Sequence, residues 1–419
     1  MNDQPSQVII VGGGLAGLAC ARSLARAGVS FQLLEAADQV GGRVRTDEVE
    51  GFLLDRGFQV MLPAYPEARR VLNYEALDLR RFYRGAEVIT PKQRRRIADP
   101  LHHPVDCFRT LTEDLMTWRD RWFSLLLRKE SFGVRAVSRT GREMETEDFL
   151  REFGFSDGFI DGFFRPFFGG IFLEKDLRTS AAMFRFLFAM FDRSGAALPA
   201  RGMQMIPDQL AAGLPPGSVH CGKSVAVVAP GAVTLSSGEI LRAKHVVLAT
   251  SQSAAERLLP EILKSTSKLR SRSVTCLYFA AHQKPSELPI LYLDGHGGGP
   301  VNNACVLSNV SPHYAPDGQH LISASVIGTP PGEDLETEVR RQMTRWFGVQ
   351  VGDWRHLRTY RIQDAQPEDT QLRQAGMPRP AELLPGLLLA GDYCEDVSIN
   401  GALISGRKAA EWVIQAISG

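Results

Sequence analysis

Six cysteines in 419 residues, at 20, 107, 221, 276, 305 and 394, form no CxxC pair. That excludes a disulfide framework and a zinc ribbon, and it fits a reducing compartment. An excess of positive charge is also missing: the net charge is +1, so no global field draws the chain to nucleic acid or an acidic membrane. Long apolar runs are absent. A membrane span needs ~18 residues, and the nearest approaches, 162–173 and 181–191, are interrupted by Arg165 and Arg185. The opening residues, MNDQPSQVIIVGGG, carry neither the basic segment nor the apolar length of a signal peptide. No internal repeat or low-complexity segment stands out. Hydrophobic residues at 44% and charged residues at 23% exclude wholesale disorder, and the length suits two or three domains. The expectation is a soluble, cytoplasmic protein that touches a membrane at most peripherally.

What the chain does have is glycine in particular places. Residues 7–11 (QVIIV) are apolar and β-branched, as a buried strand requires. Glycines follow at 12, 13, 14 and 17. Leu15 and Ala16 then open a segment with Leu18, Ala19 and Leu24 at helical spacing, and Gly28 stands where a helix ends in a left-handed residue. Residues 29–34 (VSFQLL) read as a second strand, terminating in Glu35. This is a βαβ unit with Gly12-x-Gly14-x-x-Gly17 at its turn. Gly12 suits the tight turn, Gly14 the approach of backbone to a pyrophosphate, and Gly17 close packing of helix on strand. The helix N-terminus offers unpaired N–H groups and partial positive charge. Glu35 is placed to accept from ribose hydroxyls, and its charge disfavours the 2′-phosphate of NADP. A glycine-rich turn alone is common in proteins; strand, helix and acid together read as a dinucleotide site.

A second glycine cluster favours FAD over NAD. Gly41-Gly42-Arg43 begins six residues after Glu35. The pair permits another close backbone approach. Arg43 can fork onto a phosphate, although an isolated arginine is more often simply solvated. Within 51–60, Asp55 and Gly57, with Phe58 next, form a turn between apolar pieces. At the far end an apolar strand, 387–390 (LLLA), runs into Gly391-Asp392. VSINGALISGRKAAEWVIQAI then reads as a terminal helix, with Asn400 as its N-cap and Gly401 and Ala402 small at its start. An acid just past a buried strand, beside that opening, suits a polyol chain and a ring pressed on the helix end. A lone Gly-Asp would more often be a loop acid satisfied by backbone N–H groups.

Together these motifs resemble the FAD-dependent amine oxidase, protoporphyrinogen oxidase and phytoene desaturase superfamily. The resemblance implies FAD extended across a Rossmann-type domain. Gly12, Gly14 and Gly17 would hold the pyrophosphate, Glu35 the ribose, and Arg43 would lie near the phosphates or flavin. Asp392 would meet the ribityl chain or pyrophosphate, and Ala402 the pyrimidine edge. Leu15, Ala16, Gly41, Gly42, Gly57, Phe58, Gly391 and Gly401 complete the expected cofactor set. In 223–250 the resemblance implies a valine against adenine, Val225 or Val227. ARGMQMIPDQLAAGLP, from Ala200, looks like the crossover back to this domain, with Arg201-Gly202-Met203 where the superfamily has Gly-Gly-Met. The implied fold is α/β: a discontinuous Rossmann-type FAD-binding domain of 1–84, 199–267 and 381–419, with an inserted α+β substrate domain of 85–198 and 268–380.

The first insertion is aromatic, with thirteen of the 22 phenylalanines between 149 and 191. Most of these rings must be core, and some are expected to line a channel for a large apolar substrate. Arg165, inside the cluster, is costly to bury unpaired. It should meet carboxylates, carbonyls or an anionic substrate group, near the channel's inner end or mouth. Arg94-Arg95-Arg96, with Lys92, reads as a solvated loop worth little at a membrane. His102 and His103, between Pro100 and Pro104, lack metal-ligand spacing, and no metal is expected. The second insertion, with strands near 274–281, 305–308 and 321–327, reads as a sheet roofing the flavin, and Gly297-Gly298-Gly299 as a loop without a following helix.

Two departures from the amine oxidases matter. The lysine that many of them carry on a substrate-domain strand is missing from 273–275, and the cage position three residues before Gly401 is Ser398, not an aromatic residue. The implied function is dehydrogenation or isomerisation of a large, mainly apolar substrate such as an isoprenoid, carotenoid or porphyrinogen, by hydride transfer to flavin N5. Oxygen or a quinone would accept the electrons. Tyr393 and Arg165 are the polar candidates for a catalytic role. A flavin amine oxidase is the alternative. A prenyl-binding protein like the Rab GDP-dissociation inhibitors is the non-enzymatic one, against which the complete set of FAD motifs speaks.

Overall fold

The structure is a computed structural model, and it describes residues 6–99, 101–103, 115–138, 144–263, 270–332, 334–369 and 382–418. Two sheets organise these residues. The first has six strands, in the order Glu382–Leu384, Leu387–Leu389, His245–Leu248, Val8–Val11, Phe31–Leu34, Val219–His220. Neighbours pair in parallel except at the outermost strand, Glu382–Leu384. Alternate residues of the central strands face opposite ways, and both faces are covered. Val8, Ile10, Leu33 and Val247 pack on the helix Leu15–Arg26 and the terminal helix Ile399–Ser418. Ile9, Val11, Val246 and Leu248 pack on Val228, Val233 and Leu235 of a separate three-stranded sheet. Burial on both sides is why these strands are continuously apolar.

Val8–Val11 lies between Phe31–Leu34 and His245–Leu248. The strand order therefore reverses beside it, and its C-terminal end is the crevice where open α/β sheets bind ligands. The first helix and the terminal helix meet backbone to backbone: a Cβ on Gly406 would lie 2.0 Å from the Ala16 carbonyl oxygen.

The second sheet has seven strands, in the order Arg355–Pro367, Ser271–Ala281, His320–Ile327, Val301–Val306, Leu291–Asp294, Gly85–Ile89, Arg94–Ala98. It is antiparallel apart from the pairing of Leu291–Asp294 with Gly85–Ile89. The strand expected at 305–308 is displaced to Val301–Val306. Helices Thr146–Phe153, Arg165–Phe172 and Ala181–Ser194 carry nine of the thirteen clustered phenylalanines, and Phe155, Phe159, Phe163 and Phe164 lie between the first two. The fold is thus α/β, a Rossmann-type unit joined to an α+β one.

Two local expectations are corrected. Arg94, Arg95 and Arg96 lie on a strand, not in a loop, because Glu87 on the neighbouring strand pairs with Arg96 at 2.7 Å and Arg94 at 3.7 Å. Asn400 is not the N-cap. Ser398 Oγ accepts from the Gly401 N–H at 3.1 Å, while Asn400 Oδ1 accepts from the Glu67 N–H at 3.0 Å and ties in the helix Pro66–Val71. Pro100 and Pro104 lie outside the described residues; His102 pairs with Asp99 at 2.8 Å and His103 stacks on Tyr83. Among the described residues no helix is long and apolar enough to cross a membrane, and no group of three metal-ligating side chains forms.

Candidate active site

One cavity of about 1410 Å³ is lined from both ends of the chain. It opens at the first glycine turn. Gly12 has φ +107, and a Cβ there would lie 2.7 Å from the Ala249 carbonyl oxygen. Gly17 cannot carry a Cβ either, since it would sit 2.0 Å from the Gly12 oxygen. Gly14 is different: a Cβ there meets nothing within 4 Å and would point into open space. Gly14 is also the N-cap of Leu15–Arg26, has no side chain to cap with, and the first turn has no acid. The helix start, including Leu15 and Ala16, therefore presents uncapped N–H groups to the cavity.

The second glycine cluster lies on the first. The Gly41 N–H donates to the Gly13 carbonyl at 2.8 Å, and Gly42 approaches Gly14 so closely that a Cβ would be 3.2 Å from its Cα. Glu35 lines the same wall, its carboxylate accepting from the Gly13 N–H at 2.7 Å and the Ala37 N–H at 2.8 Å. Val225 faces the cavity, whereas Val227 is 54% exposed on the surface.

Arg43 bridges to the far end of the chain. Its guanidinium meets Asp392 at 2.7 Å and donates to the Ala365 carbonyl at 2.9 Å. Burial works against the Arg43 charge, but Asp392, reinforced by Asp364, holds its pKa above the ordinary value. Asp364 is buried too, yet hydroxyls of Ser253, Ser271 and Ser251, with nearby Arg43, keep its carboxyl below the usual range. Gly391, Asp392 and Ala402 line the cavity. Gly401 does not; a Cβ there would strike the Asp396 carbonyl oxygen at 1.9 Å, so its smallness serves the loop that precedes the helix.

Gly57 and Phe58 line the cavity at a turn held from behind. Asp55 accepts from Thr46 Oγ1, the Met203 N–H and the Tyr314 hydroxyl, and burial pushes its carboxyl up to about 6. Asp47, Arg56, Arg358 and Arg361 line the cavity as well, and another part of its wall is apolar. Val60, Leu62, Phe167, Leu187, Phe191 and Val274 contribute to it. The polar exceptions include Asn303 and Ser325, both buried and directly opposed across two strands. Tyr65 and Ser398 also reach the cavity, and Ser398 Oγ donates to Asp396.

The two catalytic candidates fall elsewhere. Tyr393 is 1% exposed and absent from the cavity wall, because its ring packs into the apolar core behind Gly391. Arg165 is also off the wall; Glu147 and Asp161 hold it at 3.1 and 2.9 Å, and it donates to the Lys175 carbonyl. It meets carboxylates and a carbonyl as expected, but not at the channel. Of the thirteen clustered rings, only Phe167 and Phe191 line the cavity; the others pack into the core. Sequence reasoning missed Tyr65, Asn303, Ser325 and Asp364, which stand in no motif and converge only through the fold.

A family model described as flavin containing amine oxidoreductase matches residues 15–414. Polyamine oxidase 5 of Oryza sativa subsp. japonica is 46% identical over 56 residues, 13% of this chain and 11% of that protein. The 4,4'-diapolycopene oxygenase of Methylomonas sp is 45% identical over 62 residues, 15% of this chain and 12% of that protein. The matched segment is thus a small part of these curated relatives. An oxidoreductase from Methanosarcina mazei has a similar fold, with a TM-score of 0.73 at 18% identity, over 98% of this chain and 100% of that one. The uncapped helix start, the two stacked glycine turns and the empty space beyond Gly14 fit a dinucleotide such as FAD.

Proposed function

The chain belongs to the family of flavin containing amine oxidoreductases, whose cofactor is FAD, and from that premise we propose that it acts as an FAD-dependent oxidoreductase on a large, mainly apolar substrate. An isoprenoid, carotenoid or porphyrinogen would be dehydrogenated or isomerised, with oxygen or a quinone as electron acceptor. The observation that carries this reading is the chamber wall of Val60, Leu62, Phe167, Leu187 and Phe191, with Val274 in the segment where amine oxidases place a lysine.

Bound FAD supplies an acceptor for a hydride from a substrate carbon at its N5 position. The protein's share is holding and excluding. Gly12, Gly14 and Gly17 would shape the turn for the pyrophosphate, with Leu15 and Ala16 offering N–H groups and Gly41 and Gly42 beside them. Glu35 would accept from the ribose, and Val225 would hold the adenine. Arg43 and Asp392, already paired, would hold the phosphates and the ribityl chain. Gly57, Phe58, Gly391 and Ala402 would hold the flavin, and the helix N-terminus near Gly401 would favour negative charge on it. The apolar wall excludes water from the reacting carbon. Asn303 and Ser325 orient any oxygen-bearing end of the substrate. We take 1–84, 199–267 and 381–419 as the FAD-binding domain, and 85–198 and 268–380 as the substrate domain. A peripheral contact with a membrane belongs to the same reading, since such substrates reside in lipid.

The test is anaerobic mixing of the FAD-loaded protein with isoprenoids, carotenoids, porphyrinogens and amines, following the flavin absorbance and the products by chromatography. Conversion of an apolar compound is expected. Fast bleaching by a small amine, with every apolar compound unchanged, overturns the proposal in favour of an amine oxidase.

A further inference from the structure

We propose that the exposed face of the helix Trp118–Ser131 docks on an anionic lipid bilayer. Trp118, Trp122 and Leu125 are 75%, 61% and 55% exposed, and Phe132, just past the helix end, is 85% exposed. Their spacing of four, three and seven puts them on one stripe. Leu101, 73% exposed, belongs to the segment that Asp99 ties to Arg128 of this helix. Of the other exposed large apolar side chains among the described residues, Val227 and Ile240 flank Thr234 on the three-stranded sheet and Val349 lies on another element, so none of them extends the stripe in sequence.

The stripe is not the raw side of a loose helix. A capping box of Thr117 and Asp120 fixes its start, Leu127 and Ser131 are buried on its inner face, and Arg128 joins Asp192 of Ala181–Ser194 at 2.6 Å. Among the described residues the charge beside the stripe is mainly positive. Arg119, Lys129 and Arg135 are exposed. The acid at Asp120 is turned inward onto Thr117 and Ser156, and Glu130 faces Arg185 at 3.6 Å. Exposed tryptophans flanked by exposed cations are the composition of a helix lying in the headgroup region. At 14 residues the helix is too short to span a bilayer, so it lies on one. It backs onto Ala181–Ser194, whose Leu187 and Phe191 line the chamber, so lipid at this face is separated from the chamber by two helices. Lipid contact rests on the surface alone. Only its use, drawing an apolar substrate from that lipid, rests on the proposed function.

The experiment is flotation of the full FAD-loaded chain with vesicles of phosphatidylcholine, with and without phosphatidylglycerol, independent of turnover. Binding to the mixed vesicles is expected, with tryptophan fluorescence quenched by brominated lipid. Trp118→Ser with Trp122→Ser should weaken binding about tenfold or more, with an unchanged flavin spectrum and thermal midpoint. Arg119→Glu with Lys129→Glu should remove the preference for phosphatidylglycerol. No flotation of the unaltered protein, or equal flotation of the tryptophan variant, overturns the proposal. So does self-association that the tryptophan variant abolishes, which would give the stripe to a second copy of the chain.

Discussion

The two ends of the cavity are built on opposite plans. At the nucleotide end, backbone touches backbone: Gly12 against Ala249, Gly17 against Gly12, Gly42 against Gly14. There Arg43 pairs with Asp392, and Asp364 lies among serine hydroxyls. At the chamber end the wall is made of side chains from many separate segments, Val60, Leu62, Phe167, Leu187 and Phe191 among them. A backbone surface has one solution, since only the absence of a side chain gives the shape. A side-chain surface has many solutions at similar volume. Cofactor recognition should therefore be brittle to substitution, and substrate recognition adjustable.

The largest effect expected is at Gly17. Gly17→Val forces a Cβ onto the Gly12 oxygen, where neither backbone can give, and the protein should fail to accumulate in folded form. Gly14→Ala puts its methyl into open space. It should fold with a thermal midpoint near that of the unaltered protein and lose about tenfold or more in FAD affinity, because the methyl occupies the cofactor's place. Calorimetry and flavin titration separate the two. Equal stability of both variants would mean that the brittleness lies in the ligand and not in the backbone.

At the other end the comparison is between two neighbouring rings. Phe164 is 2% exposed, with Phe155 and Phe159 rings at 4.9 and 5.0 Å. Phe164→Ala should cost about 3–5 kcal/mol in denaturant unfolding. Phe167 lines the chamber, so Phe167→Ala should cost less and shift KM between long and short apolar substrates. A change in stability without any change in substrate choice would make the cavity wall mere packing.

This contrast also explains what the sequence made legible. The nucleotide end could be read because its requirements are local: a glycine every two or three residues, a strand before, a helix after, an acid beyond. Even so, the contact of Gly41 and Gly42 with the first turn, and of Gly406 with Ala16, shows only in three dimensions. The small residues of SGRKAA were its sole trace. The chamber was legible as an aromatic excess, without a sign of which rings face inward. Phe167 and Phe191 sit one helix apart, and Phe163 and Phe164, equally aromatic, do not reach the wall. Tyr393 follows Asp392 directly in sequence, yet Asp392 lines the cavity and Tyr393 packs into the core, a difference the order of residues does not show.

Glu35 tests the cofactor end more gently. Glu35→Ala removes one charge-assisted contact to the ribose, worth about 1.5–3 kcal/mol, so FAD affinity should fall by roughly one to two decades. The fold should persist, since the Gly13 and Ala37 N–H groups that it accepts from can turn to water. Unchanged occupancy across a flavin titration would remove Glu35 from the site.

The smallest effect compares two buried acids, one near each end. Asp364 has its carboxyl lowered, because hydroxyls and Arg43 outweigh burial. Its stabilisation is present above the unfolded value and lost as pH falls through the folded one. Asp396, beneath Ser398, is raised from 3.8 to about 6, chiefly by burial, with Glu395 and Asp369 adding to it. Its contribution has the opposite sign: full below the unfolded value, lost as pH rises from about 4 through about 6. Hydroxyls of Ser398 and the Asn400 side chain oppose the shift but do not cancel it. A shift of this size is worth about 3 kcal/mol, of which relaxation around the charge leaves roughly 1–2 kcal/mol. Asp396→Asn keeps an acceptor for Ser398 and abolishes the titration. Relative to the unaltered protein, its thermal midpoint should therefore rise between pH 4 and pH 7, while the deficit of Asp364→Asn should stay constant over that interval and shrink only as pH falls below about 4. Parallel profiles for the two variants would show that the ends of the cavity do not differ in how they hold a charge.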